Sequence, residues 1–262
     1  MSANSNPRNS LWSGMKAALR WRAKRFLQAA RITYLTRRNP EVCIAGVYIP
    51  LSKHISNNVK EAMFDGGYET AELRTIAANL APEDRILEIG TGIGLISTFC
   101  AKRVGSERVF TFEANPDLAP LIQAVYARNG VAPKLEFCVL GKGEGEAVFY
   151  IHDDFWSSSL YQRSQGAKKV CIPRRDLNEL LTQLRPTFLI MDIEGGESEI
   201  FEMINLEGIN KIAVELHTAV IGQARVDDIL NRLATEGFVV DWRYSASING
   251  FKEELFLSRR SA

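Results

Sequence analysis

Acidic side chains and one histidine follow two apolar runs in the second half of the chain. Asp192 and Glu194 come directly after the run at 187–191, and His217 follows the run at 211–216. Such runs predict buried parallel strands, whose carboxyl ends meet at one edge of a sheet. Crowded carboxylates repel one another, so they imply a bound cation, a shared proton or hydrogen bonds to a polyol. Their spacing is not a metal-ligand signature, and we expect no resident metal.

A second candidate site is a loop with glycines at alternate positions. The apolar run Arg85–Ile89 predicts a buried strand, and Leu95–Val104 predicts the helix that follows it. Glycine lets the backbone turn sharply there and lets a ligand approach without a Cβ in the way. A tight turn with nothing bound is the structural alternative. The loop residues that we expect to contact a ligand are Glu88, Gly90, Thr91, Gly92 and Gly94.

The glycine spacing separates two classes of ligand. A dinucleotide fingerprint, Gly-x-Gly-x-x-Gly, that begins at Gly90 needs its third glycine at position 95, which is Leu95. The observed Glu-x-Gly-x-Gly-x-Gly resembles motif I of class I S-adenosylmethionine-dependent methyltransferases. A carboxylate beside the loop suits a sulfonium amino acid with a free ammonium and would repel a pyrophosphate. Nicotinamide binding is therefore the weaker hypothesis.

Glu113 ends the next predicted strand, 108–112, and is the candidate for binding a ribose. It lies 23 positions after Gly90, close to the ~20 expected of an acid that accepts hydrogen bonds from both ribose hydroxyls. A solvated acid at a strand end is the structural alternative.

The alternation of strands and helices predicts the fold. At 262 residues with 46% hydrophobic content, the chain can form one substantial core. Strands that alternate with helices at this spacing predict an α/β fold with a doubly wound, mainly parallel sheet of seven strands. In such sheets ligands bind beyond the carboxyl ends of the strands. We therefore expect a domain over residues 41–262, preceded by a basic helical extension over residues 1–40.

The charge of the chain is unevenly distributed. The net charge is +1, which gives no reason to expect nucleic acid as a partner, but the first 40 residues contain nine Lys or Arg and no Asp or Glu. Apolar residues at helical spacing over 11–35 predict a basic amphipathic helix. It could pack on the domain, lie on an anionic membrane surface as a peripheral contact, or be a transit peptide.

Four cysteines without a Cys-x-x-Cys pair indicate reduced core residues of a cytoplasmic protein. No apolar run has the length of a membrane span, and no signal-peptide core is visible. The expected location is therefore the cytoplasm, with the inner membrane surface as the alternative if the basic helix binds lipid.

With these residues in hand, residues 41–216 resemble the FkbM family of class I methyltransferases. Asp192-Ile193-Glu194-Gly195-Gly196-Glu197 resembles the family's Asp-x-Glu-Gly-x-Glu signature, and Phe112–Pro116 resembles a second motif. The resemblance implies a Rossmann-like fold and S-adenosyl-L-methionine as cofactor. It also implies transfer of a methyl group to a hydroxyl of a sugar, glycan or other natural product. The residues that it adds as cofactor contacts are Ala114, Asn115, Leu140, Gly141 and Asp192.

In the implied reaction, a carboxylate or histidine removes the proton of the acceptor hydroxyl during in-line transfer. Asp192 is the first candidate for this base, followed by Glu194 and His217. Trp156, Ser158 and Ser159, in a polar loop, are expected on the acceptor side. Two other hypotheses remain open: a nicotinamide-dependent oxidoreductase on a similar fold, and a non-catalytic adaptor that uses its basic helix for a membrane or partner.

Overall fold

The computed structural model describes residues 7–151, 168–248 and 250–259; for residues 7–21 and 24 it describes only the backbone. The chain divides into two compact units. One consists of Met1–Val42 and Pro50–Tyr68, and the other of Cys43–Ile49 and Glu69–Ala262. The second unit contains the glycine loop and all the acidic candidates.

Helices and strands alternate through most of the described residues. The helices are α1 Pro7–Arg38, α2 Asn57–Phe64, α3 Thr70–Asn79, α4 Leu95–Val104, α5 Ala119–Asn129, α6 Leu177–Leu184, α7 Glu197–Met203, α8 Thr218–Ile221 and α9 Gln223–Thr235. The strands are β1 Glu41–Ile44, β2 Val47–Pro50, β3 Ile86–Ile89, β4 Val109–Glu113, β5 Lys134–Phe137, β6 Val139–Gly141, β7 Gly145–Ile151, β8 Lys168–Asp176, β9 Phe188–Asp192, β10 Lys211–Leu216, β11 Phe238–Val240, β12 Ala246–Ile248 and β13 Lys252–Arg259.

The main sheet has the strand order β11-β13-β10-β9-β3-β4-β5, with β12 paired to β13. Strands β10, β9, β3, β4 and β5 are parallel, and β13 runs antiparallel to both β10 and β11. The predicted seven-stranded, mainly parallel, doubly wound sheet is confirmed, and β12 adds a short eighth strand. Because β3 is central, the glycine loop after it lies at the edge where β4, β9 and β10 also end.

Apolar side chains explain why these segments form the sheet. Every residue of β3 and β4 is buried, as are the first four residues of β9. Parallel strands that are covered by helices on both faces carry such continuous apolar runs. One large hydrophobic core unites these strands with α6, α7 and α9. The polar residues at the strand ends are therefore held in place by a closely packed hydrophobic core.

The apolar segment 135–140 predicts a single strand, but the structure has two, β5 and β6. β5 pairs with β4 in the main sheet, whereas β6 leaves it and pairs with β8 in a separate sheet of order β6-β8-β7. The break lies at Cys138, whose backbone N–H bonds to the carbonyl oxygen of Glu113 at 3.0 Å. β8 was not predicted, because its two lysines, two arginines and a proline obscure the alternation of Val170 and Ile172.

Other local predictions also need correction. The helices α2 and α8 were not predicted, and the segment after Asn115 begins as a 3-10 turn, Pro116–Leu118, before α5 starts. The prediction of four core cysteines is wrong for two of them. Cys100 and Cys138 are buried, but Cys43 and Cys171 are exposed, because both lie at outward-facing strand positions.

Within the first unit, α1 packs against α2. The Arg31 guanidinium bonds to Glu61 at 3.3 Å and to Asp65 at 2.7 Å, and Gln28 bonds to Glu61. Ile32 is buried beside these contacts. No helix in the described part of the chain combines the length and apolar character needed to cross a bilayer.

Candidate active site

The glycine loop is pressed against the end of the neighbouring strand. Gly90 follows β3 with a φ of 92°, and a Cβ built on it would lie 1.9 Å from the carbonyl oxygen of Asp192. A side chain cannot fit at that distance, so glycine is required there by packing as well as by conformation. This contact joins the glycine loop to the acidic end of β9.

The loop is closed by hydrogen bonds of its own. The Gly94 N–H bonds to the carbonyl oxygen of Thr91 at 2.9 Å, and Gly94, with a φ of 83°, begins α4. The buried Thr91 hydroxyl bonds to the Thr111 hydroxyl, which bonds to Oε2 of Glu88. Burial raises the pKa of Glu88 to about 8. The loop thus has a mostly protonated carboxyl group beneath it at neutral pH.

Glu113 connects the loop to the end of β4. Its carboxylate accepts hydrogen bonds from the backbone N–H of Gly92 at 2.9 Å and of Asn115 at 2.7 Å. Burial raises the pKa of Glu113 to about 6, although these backbone hydrogen bonds act in the opposite direction. The backbone N–H groups of Thr91 and Ala114 also favour the ionised form of this carboxyl group. Backbone donors therefore hold Glu113 in place at the predicted ribose position.

The remaining predicted cofactor contacts lie beyond Glu113. Asn115 is buried and its Oδ1 accepts the N–H of Asp117 at 3.1 Å, while Ala114 packs against the small core of the second sheet. Leu140 and Gly141 lie in β6 and not at the end of a main-sheet strand. Leu140 belongs to the large core, so it offers a cofactor little side-chain surface.

The acidic candidates surround His217. The Nδ1 atom of His217 lies 2.5 Å from Oε1 of Glu197, and Nε2 lies 3.2 Å from Glu215, 3.4 Å from Glu194 and 3.9 Å from Asp192. Asp192 and Glu215 are neighbours because β9 and β10 pair them directly. The structure therefore brings Asp192, Glu194 and His217 together, as the sequence predicted.

The structure adds Glu197 and Lys252 to the site, although neither is among the site residues predicted from the sequence. Glu197 is fully buried, and its Oε1 accepts the Gly195 N–H at 3.1 Å in addition to its contact with His217. Lys252 binds Glu215 at 2.7 Å and Glu254 at 3.0 Å. No local signal marks Lys252, because its place depends on the antiparallel pairing of β13 with β10.

The carboxylates keep His217 positively charged. Burial lowers its pKa, but hydrogen bonds with Glu194, Glu197 and Glu215 outweigh that effect and raise the pKa to about 12. A protonated imidazole has no free lone pair, so it accepts no proton at neutral pH. His217 therefore fits the role of a fixed cation better than that of a base.

Asp192 has one buried and one accessible side. Its side chain is 41% exposed, yet Oδ1 is buried and accepts no hydrogen bond from any described residue. Burial and the neighbouring Glu215 raise the pKa of Asp192 well above its ordinary value. Asp192 is thus a carboxyl group with an unused acceptor and an increased proton affinity.

Asp192, Glu215 and His217 also offer one ligand atom each within 4.8 Å of one another. That spacing would admit a divalent ion only if His217 were neutral, because a ligating imidazole must be deprotonated. The proton on His217 and a metal ion are therefore alternatives at this position. Trp156, Ser158 and Ser159, predicted on the acceptor side, lie outside the described residues.

The fold and the site define a class of protein. A glycine-rich loop after the central strand of a doubly wound sheet, with an acid at the end of the next strand, is common to dinucleotide-binding proteins and Rossmann-like methyltransferases. The sequence model of the methyltransferase FkbM domain matches residues 88–240, more than half of the chain. The chain therefore belongs to the FkbM methyltransferase family. Membership confirms S-adenosyl-L-methionine as the cofactor and methyl transfer as the activity, and it replaces the oxidoreductase hypothesis.

Solved structures of methyltransferases are also similar to this chain. A methyltransferase from Pyrococcus furiosus is 12% identical over 90% of this chain and 98% of that one, with a TM-score of 0.47. Precorrin-6y C5,15-methyltransferase from Geobacter metallireducens is 14% identical over 73% of this chain and 88% of that one, with a TM-score of 0.44. No curated protein matches the chain.

The close contact between Gly90 and Asp192 predicts that adding a single methyl group at position 90 strongly reduces the free energy of unfolding. Gly90→Ala should destabilise the fold far more than Gly130→Ala. Both glycines have positive φ, at 92° and 66°, but a Cβ on Gly130 has nothing within 4 Å. Backbone strain alone costs about 1–2 kcal/mol, so Gly130→Ala measures that contribution. Equal free energies of unfolding for the two variants in urea would contradict the close contact.

The charge on His217 predicts a pH dependence of stability. Its folded pKa, about 12, exceeds the ordinary 6.5. The stabilisation that protonated His217 contributes to the fold is therefore complete below pH 6.5, and it is lost as pH rises towards the pKa of the folded protein. Between pH 7 and pH 9.5, the free energy of unfolding should fall more in the wild-type protein than in His217→Gln. Parallel urea titrations measure this difference, and identical slopes in the two proteins would disprove the imidazolium.

Proposed function

We propose that this protein transfers the methyl group of S-adenosylmethionine to a hydroxyl of a small-molecule acceptor, a sugar, glycan or other natural product, with Asp192 as the general base. A hydroxyl is a weak nucleophile until its proton begins to leave. An O-methyltransferase therefore needs an acceptor for that proton near the cofactor. The proposal concerns the acceptor and the base, because the family already supplies the cofactor.

The partly exposed carboxyl group of Asp192, next to the glycine loop, is the observation that carries this proposal. Asp192 ends β9 directly beside Gly90 of the glycine loop. Its Oδ1 has no hydrogen-bond donor among the described residues, and its side chain is partly open to solvent. A raised pKa makes a carboxylate a stronger base at neutral pH. Glu194 is the second candidate base, since it is only 27% exposed and lies 3.4 Å from Nε2 of His217.

His217 acts in this scheme as a positioning residue. Glu197 fixes the ring through Nδ1, and Nε2 then faces Glu194 and Glu215. A fixed cation in the centre of several acids reduces their mutual repulsion and holds them at one edge of the sheet. It also limits how far the pKa of Asp192 rises, because its charge favours the ionised carboxylate.

The glycine loop and the end of β4 would hold the cofactor. Gly92 carries no side chain that would block a ligand, and its N–H donates to Glu113. The Glu113 carboxylate at the end of β4 would accept hydrogen bonds from the ribose hydroxyls. Ala114 and Asn115 follow on the adenine side. When bound, the cofactor supplies an electrophilic methyl group on a sulfonium. The chain itself contributes orientation, exclusion of water and the acceptor for the hydroxyl proton.

Asp192→Asn should reduce kcat by roughly 100-fold or more, because it keeps the shape and removes the proton acceptor. The affinity for the cofactor, measured by isothermal titration, should change little. With the wild-type protein, the rate should rise with pH above the ordinary carboxylate range, since the pKa of Asp192 is raised.

Incubation of pooled sugars and polyketides with 13C-methyl-labelled cofactor gives the product, and NMR distinguishes a methoxy carbon from N- and C-methyl groups.

Three outcomes of this experiment are informative. A methyl label on nitrogen or carbon would disprove the hydroxyl acceptor. An unchanged kcat in Asp192→Asn, together with a large loss of kcat in Glu194→Gln, would assign the role of base to Glu194. A protein that binds the cofactor and labels nothing in any pool would favour the adaptor hypothesis.

The exposed surface of α1 supports a further proposal, peripheral contact with an anionic membrane at the cytoplasmic face. Phe26 and Leu27 are 74% and 67% exposed, while Arg22 and Arg25 beside them are exposed as well. Apolar side chains among arginines suit a lipid headgroup region, where each cation adds about 1 kcal/mol. Gln28 and Arg31 of the same helix contact Glu61 and Asp65, at the end of α2.

Replacing Phe26 and Leu27 by serine should release the protein from anionic vesicles of phosphatidylglycerol, because the variant loses the inserted apolar surface. Trp242→Ser is a matched control, since Trp242 is equally exposed, at 67%, in the other unit. Sedimentation of the protein with vesicles gives the bound fraction, which should also fall as salt increases. Equal binding of both variants, or binding to neutral vesicles, would contradict the proposal.

A further inference from the structure

The turn between β12 and β13 lies at the edge of the sheet where the acids cluster. Because β13 runs antiparallel to β10, the first residues of β13 lie beside the last residues of β10, with Glu253 paired to Leu216. Lys252, the first residue of β13, binds Glu215 at 2.7 Å, and Glu215 contacts Nε2 of His217 at 3.2 Å. The turn therefore adjoins the group of residues that surrounds His217.

Hydrogen bonds fix this turn in place. The Phe251 N–H bonds to the carbonyl oxygen of Ile248 at 2.8 Å, and the Phe251 carbonyl oxygen accepts the N–H of Ala219 at 3.0 Å. Ala219 belongs to α8, which begins directly after His217. The turn and α8 are thus joined to each other beside the acidic site, and the salt bridge of Lys252 joins the turn to β10.

Apolar side chains are exposed on the turn and on α8. Phe251 is 67% exposed, Val220 of α8 is 42% exposed and Ile248 is 36% exposed. Ile248 pairs with Lys252, and paired residues project from the same face of a sheet. Single exposed apolar residues are common on protein surfaces, whereas several that are held beside one polar site indicate a binding surface.

A polar site with apolar residues at its border suits an amphiphilic ligand. In the proposed reaction the acceptor hydroxyl lies at Asp192, so the rest of the acceptor must extend over the neighbouring surface. An acceptor made of hydroxyl groups alone would leave Phe251 and Val220 in water, whereas an attached alkyl or aryl group would remove them from water.

We propose that Phe251, Ile248 and Val220 bind an apolar group attached to the hydroxyl-bearing part of the methyl acceptor. The acceptor is then an amphiphile, such as an alkyl or aryl glycoside. Ile248 and Phe251 lie beyond residue 240, where the family match ends, so the family's shared motifs do not account for them. The inference rests on the proposed function and names the class of its acceptor.

The test compares two glycosides that differ only in their apolar part. Octyl β-glucoside, below its micelle concentration, should bind the protein saturated with S-adenosylhomocysteine at least about tenfold more tightly than methyl β-glucoside, because the octyl chain leaves water. Phe251→Ser should remove most of this difference. Phe26→Ser is the matched control and should retain the difference, since Phe26 is an exposed phenylalanine, at 74%, in the other unit. Isothermal titration gives the dissociation constants.

The acceptor that the labelling experiment identifies allows a second measurement. Phe251→Ser should raise KM by about tenfold and change kcat little, because an apolar contact made equally in the ground state and the transition state affects binding alone. Val220→Ser leaves the turn intact, should act in the same direction, and replaces Phe251→Ser if that variant does not fold. Val148→Ser is its control, since Val148 of β7 is similarly exposed, at 39%.

Several results would overturn the inference. Equal affinities of the wild-type protein for the two glycosides would do so, and loss of the difference in Phe26→Ser would place the octyl chain on α1. A dimer that dissociates in Phe251→Ser, measured by sedimentation, would assign the surface to a second copy of the chain. An O-methylated product without an alkyl or aryl group would overturn the inference and leave the proposed function intact. Label on nitrogen or carbon would instead refute the proposed function and leave the difference in glycoside binding unchanged.

Discussion

The contact between Gly90 and the carbonyl oxygen of Asp192 determines the geometry of the site. It joins the glycine loop to the strand end that carries Asp192, the base of the proposed reaction, without an intervening side chain. The two strands involved, β3 and β9, are neighbours in the centre of the sheet and are buried along almost their entire length. Because packed cores resist deformation, the distance between the glycine loop and the end of β9 is set by the backbone.

Electrostatics at this edge of the sheet are balanced only in part. Glu197 holds the ring of His217, and the resulting imidazolium with Lys252 compensates part of the surrounding acidic charge. Burial, reinforced by neighbouring carboxylates, raises the pKa of Glu88 to about 8. A site of this kind prefers a cationic ligand. The sulfonium cofactor of the family is cationic, whereas its demethylated product has lost the sulfonium charge.

The sequence predicted the parts of the site that depend on local pattern. Apolar runs predicted β3 and β10, and the alternate glycines predicted the loop between β3 and α4. The distance in sequence from Gly90 predicted Glu113. It did not predict that the third strand divides at Cys138, since that break depends on where β6 finds its partner β8. It also did not predict the Lys252–Glu215 pair, because antiparallel pairing of distant segments leaves no local mark. Long-range pairing thus accounts for most of the missing information.

Glu113 and Asp192 differ in a way that sequence position cannot express. Both are acids at the end of parallel strands, yet Glu113 is satisfied by the backbone of Gly92 and Asn115, while one oxygen of Asp192 has no described donor. A satisfied carboxylate fixes the shape of its loop before any ligand arrives. An unsatisfied one carries a desolvation cost until a proton or a cation reaches it. The first arrangement suits binding and the second suits proton transfer, so hydrogen-bond satisfaction separates the two proposed roles of these strand-end acids.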